Sequence, residues 1–413
     1  MALCAIYAVA LGALVVPIFV GLSLHVLAVK PADWTPEASL SVVKAIGAAA
    51  ALVSNILFGV LGDRTARTRW GRVPWMLGGA AVGGVLVAFT GRSTSFTALV
   101  VLWALSQFAY NACLASVVAT ISDLTPATDR SRVSGWWGAS ATGSVVLGLG
   151  AVTFLHKTDF VFFDLVPLIS IPIVLLAARH LVRHTTTTRT SETRHLTRSA
   201  PSPGWRGQFA LLLVQAFLVQ VAYNTATVYS VYFLVRRVAM SATHAATWAS
   251  STLAIASGVS MLAALLGTRW ARVGRRSDRP MASGIVIVIA GLGLLVLTTS
   301  PVVYGLAVVL AGAGYGMYGA TDLGLVIRLV PSDIAGRMLG IFNLARTLPQ
   351  SLVPTLAPFA LAIGGDVTGQ DRSQDFAALY IGGALCGVVG LSTLVRLRIR
   401  TADEAPATLI APV

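Results

Sequence analysis

Long runs of apolar residues, separated by short polar segments, follow one another along the whole chain. Each run reaches or approaches the ~20 residues that a helix needs to cross a lipid bilayer. The alternation over about ten residues that is typical of membrane-barrel strands does not occur in them. The pattern therefore predicts twelve membrane-spanning helices. They lie at about residues 3–28, 37–61, 74–91, 96–122, 133–155, 160–182, 207–235, 243–268, 280–299, 301–327, 338–363 and 376–396.

Composition points to the same class of protein. Of the 413 residues, 56% are hydrophobic and only 11% are charged, whereas soluble domains average about 25% charged residues. The mean hydropathy of +0.79 agrees with this deficit. A soluble enzyme, a disordered protein and a secreted disulfide scaffold are all disfavoured, and an all-α integral membrane protein remains.

Basic residues are distributed unevenly between the two sets of loops. The formal net charge is +14, and 22 of the 30 Lys and Arg residues fall in alternate interspan segments and the C-terminal tail, against 6 in the remaining loops. Cytoplasmic loops carry an excess of Lys and Arg. We therefore expect a protein of the plasma membrane with both termini on the cytoplasmic side. The basic charge therefore does not indicate a nucleic-acid partner. Since Met1 runs directly into the first span, we expect no cleavable signal peptide.

A polar segment divides the chain at its midpoint. Residues 183–206 are rich in Thr and Arg and predict a flexible cytoplasmic linker. We therefore expect an N-terminal six-helix half at 1–182, a C-terminal six-helix half at 207–396 and a cytoplasmic tail at 397–413.

The two halves resemble each other at a fixed shift of 205 residues. Recurrence of matching residues at one offset indicates duplication of a six-span unit, and two such pseudo-symmetric halves around a central cavity are a common plan of transporters. The matched pairs are Gly62 and Gly267, Gly79 and Gly284, Tyr110 and Tyr315, Pro126 and Pro331, Arg132 and Arg337, and Gly135 and Gly340.

The sharpest motif is GDRTARTRWGR at residues 62–72, between the second and third spans. Its glycines permit a tight turn, its acid can face the positive end of a helix such as span eleven, and its arginines can hold the loop at the membrane surface. A basic loop that only sets topology is the alternative interpretation. The gating-loop candidates are Gly62, Asp63, Arg64, Gly71 and Arg72.

This loop resembles the signature of the major facilitator superfamily. Its continuation GRVPWMLGG at 71–79 is more specifically similar to the glycoside–pentoside–hexuronide and sucrose-type branch, although Gly62 replaces the usual serine there and Val73 a common basic residue. The stretch 320–358 is similar to actinobacterial facilitators. The resemblance implies the major facilitator fold and a loop that acts as a latch, stabilising the outward-facing state.

A second motif, SDLTPATDR at 122–130, also resembles a facilitator pattern. Asp123 and Arg328 are repeat equivalents of opposite charge, so we expect them to pair across the cytoplasmic mouth when it closes. Arg130 completes the motif in the first half. Ordinary loop charge is the alternative. The repeat copy of the 62–72 loop has lost its acid, so we expect that loop to act as an anchor.

Charged residues inside spans are costly, about 2.5–3.5 kcal/mol each at mid-bilayer on insertion scales. Asp322 precedes Pro331 by nine residues, and Arg346 follows Arg337 by nine, so both lie about 13 Å into the membrane by helical rise. This matched depth predicts an ion pair in which Asp322 takes up and releases a proton; a static pair is the alternative. Lys44 is a third intramembrane charge. It either takes part in substrate binding or coupling, or extends its ammonium group to the water at the membrane surface.

Polar and aromatic side chains recur at helical spacing on spans four, seven and ten. In the resembled family these spans help line the cavity, and amides and hydroxyls beside aromatic rings suit a sugar ring. Hydrogen bonding between helices is the alternative role. The predicted cavity residues are Trp103, Gln107, Tyr110, Asn111, Gln220, Asn224, Thr227, Tyr315 and Tyr318.

These observations predict a secondary transporter that moves a small polar solute, sugar- or glycoside-like, by alternating access. We expect coupling to protons or another cation, a lipid bilayer as surroundings, and a monomer. The sequence has no Walker A loop, so ATP drive is not expected. Efflux of a hydrophobic metabolite or drug is the alternative function. A membrane receptor without transport, or an intramembrane enzyme, is a remote alternative. No cofactor or metal is expected, because Cys4, Cys113 and Cys386 are far apart.

Overall fold

A computed structural model describes residues 2–65, 68, 70–124, 130–154, 160–184, 204–274, 278–330, 335–363 and 376–396. The ordered elements in these ranges are helices, and none is a strand. They form twelve rods, named α1 to α12, which match the twelve predicted spans. The all-α fold class expected from the sequence is confirmed.

Four of the twelve rods contain an irregular turn. The rod α1 carries a π-helical turn at Pro17–Gly21, and α6 begins with one at Phe160–Asp164, whereas α7 and α10 are each interrupted once. The bounds are α1 Ala2–Val29, α2 Pro36–Thr65, α3 Val73–Thr90, α4 Phe96–Leu124, α5 Arg130–Phe154, α6 Phe160–Asp164 and Leu165–His184, α7 Trp205–Thr227 and Ser230–Arg236, α8 Ala242–Gly274, α9 Asp278–Leu297, α10 Pro301–Gly319 and Asp322–Leu329, α11 Ala335–Leu361, and α12 Phe376–Arg396.

Ten helices in the described ranges are long and apolar enough to cross a membrane. The other two, α5 and α11, have 25 and 27 residues and are long enough as well. Among the described side chains of α5, Thr142–Thr153 forms an apolar stretch, and α11 carries Pro349, Pro354 and Pro358 inside the helix.

The same helix pairs pack in each half. Contacts of α2 with α4, α3 with α4, and α1 with α6 are repeated by α8 with α10, α9 with α10, and α7 with α12. The register is conserved as well, because a Cβ on Gly79 would lie 2.6 Å from the Ala109 carbonyl oxygen, and one on Gly284 would lie 2.5 Å from the carbonyl oxygen of Gly314. Gly284 follows Gly79 by 205 residues, and Gly314 follows Ala109 by the same number. This is the shift at which the two halves of the sequence match.

The halves meet through α2 with α11 and through α5 with α8. One end of the bundle carries the loops at 30–35, 91–95 and 237–241, which the charge pattern places outside; we call it the predicted outer end. Along α2, residues 36–47 next to this end are mostly buried, whereas residues 52–60 are mostly exposed. The exposed part contains the polar Asn55 and also large apolar residues: Leu52, Val53, Ile56, Leu57 and Val60. The side-chain hydrogen bonds that the structure describes between the halves lie near the predicted outer end.

The glycine contacts between α9 and α10 give a test of this packing. Replacing Gly284 by Ala forces a methyl group against the backbone of α10 at 2.5 Å, and overpacking of this kind costs about 1–3 kcal/mol. Gly293, on the same helix, has no atom within 4 Å of its would-be Cβ and is the matched control. In detergent, Gly284→Ala should unfold at a clearly lower temperature than Gly293→Ala. Equal midpoints would contradict the close packing of α9 on α10.

Candidate solute site and outer gate

A connected set of polar side chains joins α7, α10 and α11 in the C-terminal half. The Tyr315 hydroxyl donates to Gln220 Oε1 at 2.7 Å and accepts from Arg346 Nη2 at 3.3 Å. Arg346 Nη1 lies 3.6 Å from Asp322 Oδ2. The structure thus brings together the two intramembrane charges that matched depth predicted to pair, and links them to two of the predicted cavity residues.

Tyr223 adds an aromatic surface to this set. Its ring stacks on that of Tyr315 with centroids 4.2 Å apart and an interplanar angle of 7°. Tyr223 was not predicted from the sequence, although it follows Gln220 by three residues and therefore shares its helix face. The stacked rings and the amide give the site apolar and hydrogen-bonding surfaces side by side.

An interruption of α10 positions Asp322. The first segment ends at Gly319, and Thr321 leaves helical geometry with φ −124° before Asp322 begins the second segment. An acid in the first turn of a helix is favoured by the helix dipole. The Asp322 side chain is 1% exposed, whereas the Arg346 side chain is 31% exposed. The carboxylate therefore lies behind the guanidinium, within the protein.

The N-terminal half contributes a second polar group around α2 and α4. Asn55 Nδ2 donates to Asn111 Oδ1 at 3.2 Å, and Asn111 Nδ2 donates to Gln107 Oε1 at 3.1 Å. Trp103 is buried against Gly47, where a Cβ would lie 2.5 Å from the indole nitrogen. Three predicted residues of α4 thus meet α2 within the N-terminal half.

Other predicted cavity residues make contacts within their own half. The Tyr110 hydroxyl lies 3.2 Å from that of Ser170 on α6, and its ring packs on Gly83 of α3. Asn224 and Thr227 donate to backbone carbonyls of their own helix at 2.8 and 3.2 Å, and Tyr318 is buried in the C-terminal half. In this conformation these side chains hold helices together, and their contact with a solute stays a prediction.

The 62–72 loop closes on itself. Arg72 Nη2 donates to Asp63 Oδ1 at 2.6 Å, and Gly71 has a φ of +55°, a conformation that favours glycine. A Cβ on Gly62 would lie 3.2 Å from Arg72 Nε. The described ion pair of Asp63 is therefore within the loop, and its expected contact with the start of α11 stays a prediction. Arg64 is exposed, and the side chains of Asp123, Arg130 and Arg328 lie outside the described residues.

A cluster of buried polar contacts joins the halves at the predicted outer end, and we call it the outer gate: Glu37, Ser41, Lys44, Tyr229 and Arg236. Arg236 Nε donates to Glu37 Oε1 at 2.7 Å, while the carboxylate is 1% exposed and the guanidinium 30% exposed. This ion pair connects the start of α2 with the end of α7. Its members belong to opposite halves.

Tyr229 occupies the centre of the outer gate because α7 is interrupted there, between Thr227 and Ser230. Its hydroxyl contacts that of Ser41 and lies 3.3 and 3.2 Å from the carbonyl oxygens of Glu37 and Pro354. It therefore touches α2 and α11 at once. A single side chain in the break of α7 links the three helices whose separation would open this end.

Lys44 belongs to the same cluster. Its ammonium donates to the Val228 carbonyl oxygen at 3.2 Å across the halves, and the residue is 9% exposed. The alternative that Lys44 snorkels to water is therefore wrong for this conformation. The interruption of α7 frees the carbonyl that receives the lysine, and the negative end of the helix dipole favours a cation there.

The sequence analysis missed most of the outer gate. Glu37 and Arg236 could have been paired, since both lie at span ends on the same predicted face of the membrane with opposite charge. Tyr229 gave no such signal, because nothing in the residues around it, neither proline nor glycine, predicts that α7 breaks at that position.

Comparison with known proteins agrees with the fold. The family model described as Major Facilitator Superfamily matches residues 1–354, so the chain belongs to this superfamily. A comparison with curated proteins gives no match.

Solved structures of transporters share the architecture over nearly the whole chain. A structure of the nucleoside transporter NupG has a TM-score of 0.69 at 14% identity and covers 97% of this chain and 98% of its own. A D-xylose-proton symporter has a TM-score of 0.68 at 16% identity with the same coverage. A bacterial homolog of the human lysosomal transporter Spinster, inward-facing and unoccupied, has a TM-score of 0.63 at 17% identity and covers 96% and 94%. The protein is thus a multi-pass membrane transporter of the major facilitator fold and not an enzyme.

The outer gate gives a second testable prediction. Replacing Glu37 by Gln removes the buried ion pair, and because a hydrogen bond to a charged group contributes about 1.5–3 kcal/mol, the outer end should open about tenfold more often. The readout is the rate at which maleimide labels a cysteine introduced at the buried Ser23 of α1, with the native cysteines replaced by alanine.

Asp164→Asn is the matched control. Asp164 pairs with Arg92 at 2.7 Å at the same end of the molecule but within the N-terminal half. Its loss should leave the labelling rate unchanged. Equal labelling of the Glu37→Gln and Asp164→Asn variants would mean that the Glu37–Arg236 pair does not hold the halves together.

Proposed function

We propose that this protein is a secondary active transporter that carries a small polar organic solute, sugar- or glycoside-like, by alternating access and in symport with protons. The observation that carries the proposal is the connected set Asp322, Arg346, Tyr315 and Gln220, which joins three helices deep in the C-terminal half. Charged residues at this depth are costly and are kept for substrate or ion movement. The stacked tyrosines beside them suit the apolar face of a sugar ring.

The outer gate supports the alternating-access part of the proposal. In this conformation the halves are joined by Glu37 with Arg236 and by Tyr229 with α2 and α11, whereas the far part of α2 is exposed. Breaking these contacts while the halves approach at the other end would open the outer side to solute. The loop ion pair of Asp63 with Arg72 lies at that other end, where the latch of the outward-facing state would form.

Asp322 is the group that we assign to proton coupling. When ionised it is held by the neighbouring guanidinium, and when protonated it releases Arg346 from the ion pair. Gln220 and Tyr315 then complete the solute site, and Trp103 and Gln107 approach it from the other half when the cavity closes. The similarity of the 71–79 segment to the glycoside–pentoside–hexuronide branch supports a sugar-like solute.

The distribution of basic residues supports a plasma-membrane location with both termini in the cytoplasm, since 22 of the 30 lie in the segments assigned to that side. The predicted outer end then faces the outside. The chain is expected to work as a monomer, because the cavity between its own halves holds the complete site.

Transport in proteoliposomes tests the proposed function. With an inward proton gradient, the wild-type protein should accumulate a radiolabelled sugar or glycoside from a screened panel. Asp322→Asn should reduce gradient-driven accumulation to the level of empty vesicles but retain exchange of internal for external solute, because exchange needs no net proton movement. Asp164→Asn, a carboxylate change away from the site, should accumulate solute normally.

Two results would contradict the proposal. Gradient-driven accumulation by Asp322→Asn at the wild-type level would remove the carboxylate from coupling. Movement of lipophilic compounds out of the vesicles, with no uptake of any polar solute, would instead indicate efflux of a hydrophobic metabolite or drug.

A further inference from the structure

The charged group that a solute meets at this site is a cation. The Arg346 side chain is 31% exposed, while the Asp322 side chain behind it is 1% exposed. A solute that reaches this pair therefore contacts the guanidinium before the buried carboxylate. Since the exposed group decides which charge is attracted, the site favours a solute of negative charge.

The guanidinium also retains hydrogen-bonding capacity. Arginine has five N–H donors in a planar fork, and the described contacts of Arg346 are one hydrogen bond of 3.3 Å to Tyr315 and the ion pair of 3.6 Å with Asp322. Both distances exceed the 2.7–2.9 Å that is usual for charge-assisted hydrogen bonds. The guanidinium is therefore held loosely by Tyr315 and Asp322, and it can donate shorter hydrogen bonds to another acceptor.

The neighbours of Arg346 present further donors. The Gln220 amide oxygen is occupied by the Tyr315 hydroxyl at 2.7 Å, so the group that Gln220 can still offer a solute is its NH2. When Asp322 is protonated, Arg346 is the positive charge left at this site. Donors and positive charge suit an acceptor-rich anion.

We propose that the transported solute carries a carboxylate, and that this carboxylate binds Arg346 in competition with Asp322. The inference rests on the proposed function, which it makes more specific: a sugar acid or another small ring-bearing monocarboxylate rather than a neutral sugar. The fork of the arginine matches a carboxylate in two parallel hydrogen bonds, and the edges of the stacked Tyr223 and Tyr315 rings can contact the ring of the solute. Protonation of Asp322 would vacate the arginine for the solute, so proton and anion would enter the site together.

Binding to purified protein in detergent tests the competition directly. The probes are two matched pairs, D-glucuronate with D-glucose and benzoate with benzyl alcohol, measured by thermal shift and isothermal titration at constant pH and ionic strength. We expect at least one carboxylate to bind and its neutral partner to bind at least about tenfold more weakly, a difference of about 1.4 kcal/mol.

Variants of the two partners should change affinity in opposite directions. Arg346→Gln should weaken carboxylate binding about tenfold or more, and Arg346→Lys, which keeps the charge but not the fork, should fall between. Asp322→Asn removes the competitor and should strengthen binding by at least about tenfold, because it removes a negative charge that attracts the guanidinium. Arg92→Gln, which breaks the ion pair with Asp164 in the other half, is the control and should leave affinity unchanged.

Each remaining outcome decides the question. Three results would overturn the anion assignment: equal binding of charged and neutral partners, no binding of any carboxylate probe at about 10 mM, or weaker binding in Asp322→Asn. Proton-driven uptake of a neutral sugar together with any of these results would leave the proposed function standing and remove only this inference. Carboxylate binding with the opposite responses of the two variants, but without gradient-driven accumulation, would instead remove the proton coupling.

Discussion

Hydrocarbon offers no hydrogen bonds to a polar group, and this constraint governs both the fold and the position of every charge within it. Backbone groups must pair within helices, which accounts for the twelve rods. Charged side chains inside the membrane must find partners within the protein. Asp322 lies behind Arg346 in the C-terminal half, and Glu37 is buried against Arg236 of the opposite half. The second pair marks a contact that must break when the halves separate at the predicted outer end.

The helices that join the halves also carry the functional charges. Lys44 is on α2 and Arg346 is on α11, and these two helices pack against each other across the halves. Tyr229, in the break of α7, contacts both of them near the predicted outer end. Opening this end must therefore move Lys44 away from Val228 and shift α11 relative to α2. A change at the outer gate is in this way mechanically connected to the helix that bears Arg346.

The interrupted helices place polar groups where a regular helix would not. In α7 the break frees the Val228 carbonyl oxygen for Lys44 and turns Tyr229 towards α2. In α10 the break puts Asp322 at the start of a helical segment. By contrast, the glycine contacts of α3 with α4 and of α9 with α10 keep each half rigid, because their backbones touch without side chains between them. Rigid halves with polar, interrupted helices between them are suited to rocking about a central site.

The sequence by itself determined the number of helices, their approximate bounds, the two-fold repeat and the pairing of Asp322 with Arg346. These features depend on local hydrophobicity, on a constant offset and on equal depth along straight helices, all of which are properties of the chain in one dimension. The tertiary structure alone decided which polar residues face the space between the halves. Tyr110 shares a helix with Gln107 but packs on Gly83 within its own half. The break in α7 that brings Tyr229 into the outer gate has no marker in the sequence. Such placements depend on how neighbouring helices rotate and bend to pack together, and helical spacing within one span does not contain that information.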